Sequence, residues 1–177
     1  DVRELTVAEA LAFFADHAQV QAVLTPLADV GLEYLKLGQP VPTLSGGEAQ
    51  RLKLAGHLVE ASKGSPAAGG LARKGKLFLF DEPTTGLHFD DIAKLLRALR
   101  KLIATGHSVV VIEHNLDLIR ASDWIIDLGP EGGAGGGRIV ATGTPEQVAA
   151  EPASHTGRYL APLLDKDARG QPHPAAG

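Results

Sequence analysis

The chain has 177 residues, 44% of them hydrophobic and only 5% aromatic, which allows one domain with a largely aliphatic core. A formal net charge of −4 gives no overall electrostatic footprint for nucleic acid, and the absence of cysteine removes disulfides and thiolate metal sites. No apolar run approaches the roughly 20 residues of a membrane span, and the acidic start DVRELTVAEA does not suit a signal peptide, so a soluble, cytoplasmic α/β domain with no membrane partner is expected.

Thr6 and Glu9 form a T-x-x-E capping box opening a helix that carries Ala10, Leu11, Phe13 and Phe14. A second helical stretch spans roughly 20–30, with Pro26 expected to kink or break it and Gly31 to stop it. After the turn-rich KLGQPVPT, residues 48–61 read as a helix with Ala49, Leu52, Ala55 and Leu58 on one face. Residues 62–75, SKGSPAAGGLARKG, read as an exposed basic linker.

The rhythm then changes. KLFLF, SVVVI and WIIDL read as strands, the first two as continuous apolar runs suited to burial on both faces. Between the first two, Ile92, Leu95, Leu96, Leu99, Leu102 and Ile103 form a helical stripe, started by Asp90 and Asp91 and followed by Gly106. The basic residues Lys94, Arg97, Arg100 and Lys101 read as a solvated helix face, with DNA contact as the alternative. GPEGGAGGG reads as a turn to a fourth strand, RIVAT, that pairs with the third. Thr144, Pro145 and Gln147 cap one more short helix, and a disordered tail is expected from Asp165. Strand–helix alternation implies a largely parallel sheet covered by helices, with its chemistry at the carboxyl ends of the strands.

Three stretches carry candidate chemistry. Ser45 and Glu48 spell a capping box, so a helix starting near Gly46 is expected on local grounds alone. Gly46 and Gly47 are poor helix formers, by about 1 kcal/mol each relative to alanine, but they leave bare backbone for an anion at the positive end of a helix dipole. Gln50 and Arg51 lie close enough to help orient it. Asp81 and Glu82 end a strand and Pro83 stops it; they are a solvated strand end, a ribose-binding acid, or a pair in which Asp81 serves Mg2+ through water and Glu82 polarises an attacking water. His114, two residues past the next strand, is a surface or core residue or a γ-phosphate sensor, and His88 could reach a shared interface. GLARKGK, residues 70–76, imitates a phosphate-binding loop. It lacks a following Ser or Thr and precedes a strand rather than a helix, so it reads as a coincidence.

In this order LSGGEAQRLKLA, LFLFDEPTTGLH, VVVIEHNLD and GGRIVATGTPEQV resemble the back half of an ATP-binding-cassette ATPase. Residues 44–50 resemble the family signature, 77–82 the Walker B strand and 114 the switch histidine. LGQPVPTLSGGEAQR, DEPTTGLHFDDI and VIEHNLDLIRASDWIIDLGPEGG are most similar to the second cassette of the UvrA family of bacterial nucleotide excision repair. The likeness covers roughly residues 5–164. It implies a partial cassette fold: a helical segment over 1–43, the C-terminal part of a cassette over 44–164, and the tail over 165–177. It implies that Ser45, Gly46, Gly47 and Gln50 contact the γ-phosphate of ATP held by another cassette, that Asp81 serves Mg2+, Glu82 hydrolysis and His114 γ-phosphate sensing, and that 83–88 crosses between cassettes. The implied partners are the rest of a UvrA chain including its first cassette, a UvrA homodimer, UvrB and damaged double-stranded DNA. The P-loop and the zinc modules would lie upstream, so the chain is expected to be a C-terminal fragment, inactive in ATP hydrolysis alone. A transporter ATPase component and a non-catalytic partner-binding fragment are the alternatives.

Overall fold

The computed structural model describes residues 1–63, 75–129 and 137–168. The chain divides into two compact units, Asp1–Glu113 and His114–Gly177.

In the first unit, Thr6 opens α1 (Val7–Phe13) through the reciprocal bonds of its capping box, Glu9 N–H to the Thr6 hydroxyl and Thr6 N–H to the Glu9 carboxylate. α2 (Ala18–Asp29) passes through Pro26 instead of breaking there. The proline stands near the carboxyl end, so little helix remains beyond the one amide it removes. Gly31 then ends the helix at φ 76°, while the Leu32 amide bonds back to the Leu27 carbonyl at 3.0 Å. Val7, Ala10 and Leu24 form a small core packed by Leu5, Leu11, Phe14, Val20 and Leu27.

α3 (Gly46–Lys63) packs on α2 and on α4 (Phe89–Ala104), and α4 packs on β2 (Ser108–Ile112). The buried face of α3 is Gly47, Arg51, Leu54, Ala55 and Leu58; Ala49 and Leu52, expected there, are only half-buried. The face is rotated because a charged residue, Arg51, belongs to it. On α4 the stripe holds for Ile92, Leu95, Leu99 and Leu102, whereas Ile103 is exposed and Ala98 takes a buried place. Two of the four basic residues on α4 are held in ion pairs: Lys94 with Glu33 and Asp91, and Lys101 with Asp29. Arg97 and Arg100 are exposed.

β1 (Leu77–Asp81) and β2 pair in parallel, Leu77 opposite Ser108 through Asp81 opposite Ile112. The expectation that these strands are buried on both faces does not hold. Phe78, Phe80, Val109 and Val111 lie on one face, with the His57 ring of α3 edge-on to Phe78; Leu79, at 71% exposure, Val110 and Ile112 stand on the other. Helices cover one side of this two-stranded sheet, so a continuous apolar run leaves alternate residues in solvent. Gly75 and Lys76 run beside the start of β2, the Ser108 amide bonding the Lys76 carbonyl at 2.9 Å. The end of the P-loop look-alike therefore leads into a strand; its residues 70–74 lie outside the described residues, as does most of the expected linker.

The second unit begins with α5 (Leu116–Arg120), too short to show periodicity, whose one signal is the Asn115 side chain accepting from the amides of Asp117 and Leu118. β3 (Ile125–Gly129) and β4 (Arg138–Gly143) pair antiparallel, as expected, with a register shift between Asp127 and Leu128. The turn between them falls on 130–136, outside the described residues. Thr144 and Gln147 complete the capping box of α6 (Pro145–Ala149). α7 (His155–Ala168) takes in the first residues of the expected disordered tail; those beyond lie outside the described set. Asp127 of β3 accepts hydroxyl bonds from Ser154 at 2.6 Å and Thr156 at 2.8 Å, fixing the start of α7 to the hairpin. The described strands thus form a parallel pair, β1–β2, in the first unit and an antiparallel pair, β3–β4, in the second.

Candidate functional site

The site in the first unit is built where the start of α3 meets the end of β1. Ser45 caps α3: its amide bonds Glu48 Oε2 at 2.7 Å, and its hydroxyl accepts from the Glu48 amide at 3.3 Å. Glu48 is held a second time by the Tyr34 hydroxyl at 2.5 Å. The Tyr34 bond and the Ser45 amide bond hold the Glu48 carboxyl below its ordinary range; burial, then the Glu48 bond, push the Tyr34 phenol up.

The two glycines have different reasons. At Gly46 an added Cβ would meet open space, so this backbone is accessible. At Gly47 a Cβ would lie 2.8 Å from the Thr85 carbonyl and 3.1 Å from Arg51 Nη1. Gly47 is therefore required by the close approach of the segment after β1, independent of any anion.

That segment is gripped residue by residue. Gln50 bonds both polar groups of the Asp81 backbone, donating to its carbonyl at 2.6 Å and accepting from its amide at 2.9 Å. Arg51, only 1% exposed, donates to the carbonyls of Pro83 and Thr85, both at 3.0 Å. Glu113, just past β2, accepts from the amide and the hydroxyl of Thr84, at 2.9 and 2.6 Å. Between these anchors stands Glu82 at φ 48°, the one non-glycine positive φ among the described residues. Such a conformation costs on the order of 1–3 kcal/mol and persists where neighbours over-determine it. The Glu82 amide continues the ladder to the Ile112 carbonyl at 2.9 Å.

Asp81 and Glu82 are both exposed. The Asp81 carboxylate makes no hydrogen bond or ion pair among the described residues. An exposed carboxylate on a pinned backbone suits a hydrated Mg2+, which keeps several waters and takes few protein ligands. No cluster of three or more potential metal ligands occurs among the described residues.

Ser45, Gly46, Gly47, Gln50, Asp81 and Glu82 thus share one unit, while His114 opens the second, directly before the Asn115 cap of α5. His88 caps α4 without a side-chain bond to its amides and pairs with Asp90 at 3.4 Å. Gln50, expected at the phosphate, has its amide engaged with Asp81. Tyr34 and Glu113 were missed by sequence reasoning; Glu113 carried a signal, being an acid at a strand end like Asp81.

Comparison with known proteins identifies relatives of the chain. Over 94% of its length the chain is 56% identical to UvrABC system protein A of Aquifex aeolicus, and over the same share 53% identical to that of Bacillus subtilis. The chain belongs to the UvrA family. It spans about a sixth of the length of these relatives, 17% and 16%. The crystal structure of UvrA2 from Deinococcus radiodurans superposes on 93% of the chain with a TM-score of 0.78 and 46% identity, the chain covering 19% of that protein. An ATP-binding subunit of an ABC transporter matches with a TM-score of 0.50 and 23% identity over 93% of this chain and 64% of its own, which shows a shared fold alone. The fold is accordingly a partial ABC ATPase fold. No family model matches the chain.

Proposed function

We infer that this chain supplies the signature helix and the Walker B carboxylates of a UvrA-type ATPase that couples ATP hydrolysis to DNA-damage recognition in nucleotide excision repair. The observation that carries this reading is the junction of α3 with the end of β1, where an accessible helix start and two exposed carboxylates are held on one frame. Mg-ATP, when bound, supplies the phosphoryl group that is transferred to water. The Gly46 and Gly47 amides and the Ser45 hydroxyl bind the γ-phosphate of a nucleotide held by another cassette, with the helix dipole favouring its charge. Asp81 would be the residue that holds the magnesium ion accompanying the nucleotide. Glu82 orients and polarises the attacking water, and His114 senses the γ-phosphate. Gln50 acts from behind this surface, through Asp81.

A composite site of this kind requires the remaining cassette parts of a UvrA chain or of a second copy. UvrB and damaged double-stranded DNA are its further partners. No helix among the described residues is long and apolar enough to cross a membrane, and the likeness to a transporter subunit extends to the fold only. The test is a chimera in which this chain replaces the matching segment of the Bacillus subtilis relative. Glu82→Gln in that protein is expected to lower ATP turnover by roughly 100-fold or more while ATP still binds. Undiminished turnover would remove Glu82 from the chemistry.

A further inference from the structure

The signature helix and the Walker B segment serve, in the reading above, two different nucleotide sites, yet here they are bonded to each other within one unit. The geometry points to Gln50 and Arg51 as positioning residues that couple phosphate engagement at the start of α3 to the placement of Glu82. This rests on the proposed function and adds to it a route between the two sites.

Four bonds make the connection: Gln50 to the amide and carbonyl of Asp81, at 2.9 and 2.6 Å, and Arg51 to the carbonyls of Pro83 and Thr85, both at 3.0 Å. They fall on both sides of Glu82, whose exposed carboxylate accepts from the Thr85 hydroxyl at 3.4 Å. All four reach backbone atoms, so they fix φ and ψ of the segment rather than any one side chain. Gln50 and Arg51 also follow Ser45, Gly46 and Gly47 within about a turn and a half of one helix, so a shift of the helix start moves both clamps together.

Arg51 is an odd choice if packing were its only task. Its guanidinium is buried, and Nε is buried without a partner. Apolar replacement of buried ionic groups is often neutral or stabilising, so burial alone does not account for a charge here. A single terminal amino group, Nη1, held in place by the planar guanidinium and donating one hydrogen to each of two carbonyls two residues apart, does account for it. Glu82, held at φ 48°, is the residue whose placement depends on both neighbours staying fixed.

The chimera described above provides the assay. Arg51→Met and Gln50→Ala are each expected to lower kcat roughly tenfold or more, with KM for ATP within about twofold, because the carboxylate is misplaced while nucleotide binding persists. Arg51→Lys, whose ammonium can still donate to these carbonyls, is expected to recover a large part of the loss. Gln50→Glu, which keeps the acceptor for the Asp81 amide and loses the donor to its carbonyl, is the milder variant should Gln50→Ala fail to fold. Unchanged kcat in folded Arg51→Met and in Gln50→Glu overturns the coupling. So do equal losses in Arg51→Lys and Arg51→Met that track the fall in melting temperature, since a merely structural role predicts that pattern. A wild-type chimera without ATPase activity refutes the proposed function instead, and is distinguished by failing before any substitution is made.

Discussion

At the scale of single residues, neighbouring identical letters do different work. Gly46 and Gly47 look alike in the sequence, but only Gly47 is closed in by the Thr85 carbonyl. Gly47→Ala is expected to destabilise the chain by about 1–3 kcal/mol through overpacking, and Gly46→Ala to leave it unchanged or slightly more stable. Thermal unfolding of the two variants checks this; equal effects would contradict it. The Tyr34–Glu48 bond makes a second residue-scale statement. The phenol is raised above its ordinary value of 10.0, chiefly by burial and then by Glu48, so its contribution to stability is complete below that value and lost as pH rises through the folded one. Glu48 is depressed below 4.5, first by Tyr34, so its contribution is complete above 4.5 and lost as pH falls through the lowered value. In a Tyr159→Phe background, the remaining phenol absorbance is expected to titrate above pH 10.0 and to move down in Glu48→Gln. An unmoved midpoint would remove Glu48 as a cause.

At the scale of elements, local chemistry was more legible than burial. All three capping boxes, at Thr6, Ser45 and Thr144, form as their spacing requires, because such bonds need nothing beyond three residues of chain. Pro26 shows the limit: proline inside a helical pattern argues for a break, but its buried place near the end of α2 makes the missing bond tolerable. The face of α3 was misread because Arg51 is buried for its bonds to carbonyls 32 and 34 residues away in the chain, which no helical period contains. The candidate site was legible as residue types at the ends of β1 and α3; the bonds joining those ends were not. In the second unit the same kind of long-range tie joins β3 to α7 through Asp127. Asp127→Ala leaves the fully buried Ser154 hydroxyl without this acceptor and is expected to cost about 1–3 kcal/mol. A melting temperature matching that of wild type would show that the tie contributes little.

At the scale of the whole molecule, each unit keeps apolar side chains in solvent on its strands: Leu77, Leu79, Val110 and Ile112 in the first, Ile126, Leu128 and Ile139 in the second, where Trp124 just before β3 is exposed as well. The continuous hydrophobic runs read as doubly buried strands because composition cannot say whether a second layer is present. The proposed chemistry is likewise shared with other parts: among the described residues no phosphate cradle built on a strand-to-helix loop accompanies the accessible helix start and the exposed Asp81 carboxylate. ATP turnover by the 177-residue chain on its own, wild type beside Glu82→Gln, tests this most directly. The composite-site account predicts no hydrolysis above background in either; turnover by the wild-type chain that disappears in Glu82→Gln would contradict it.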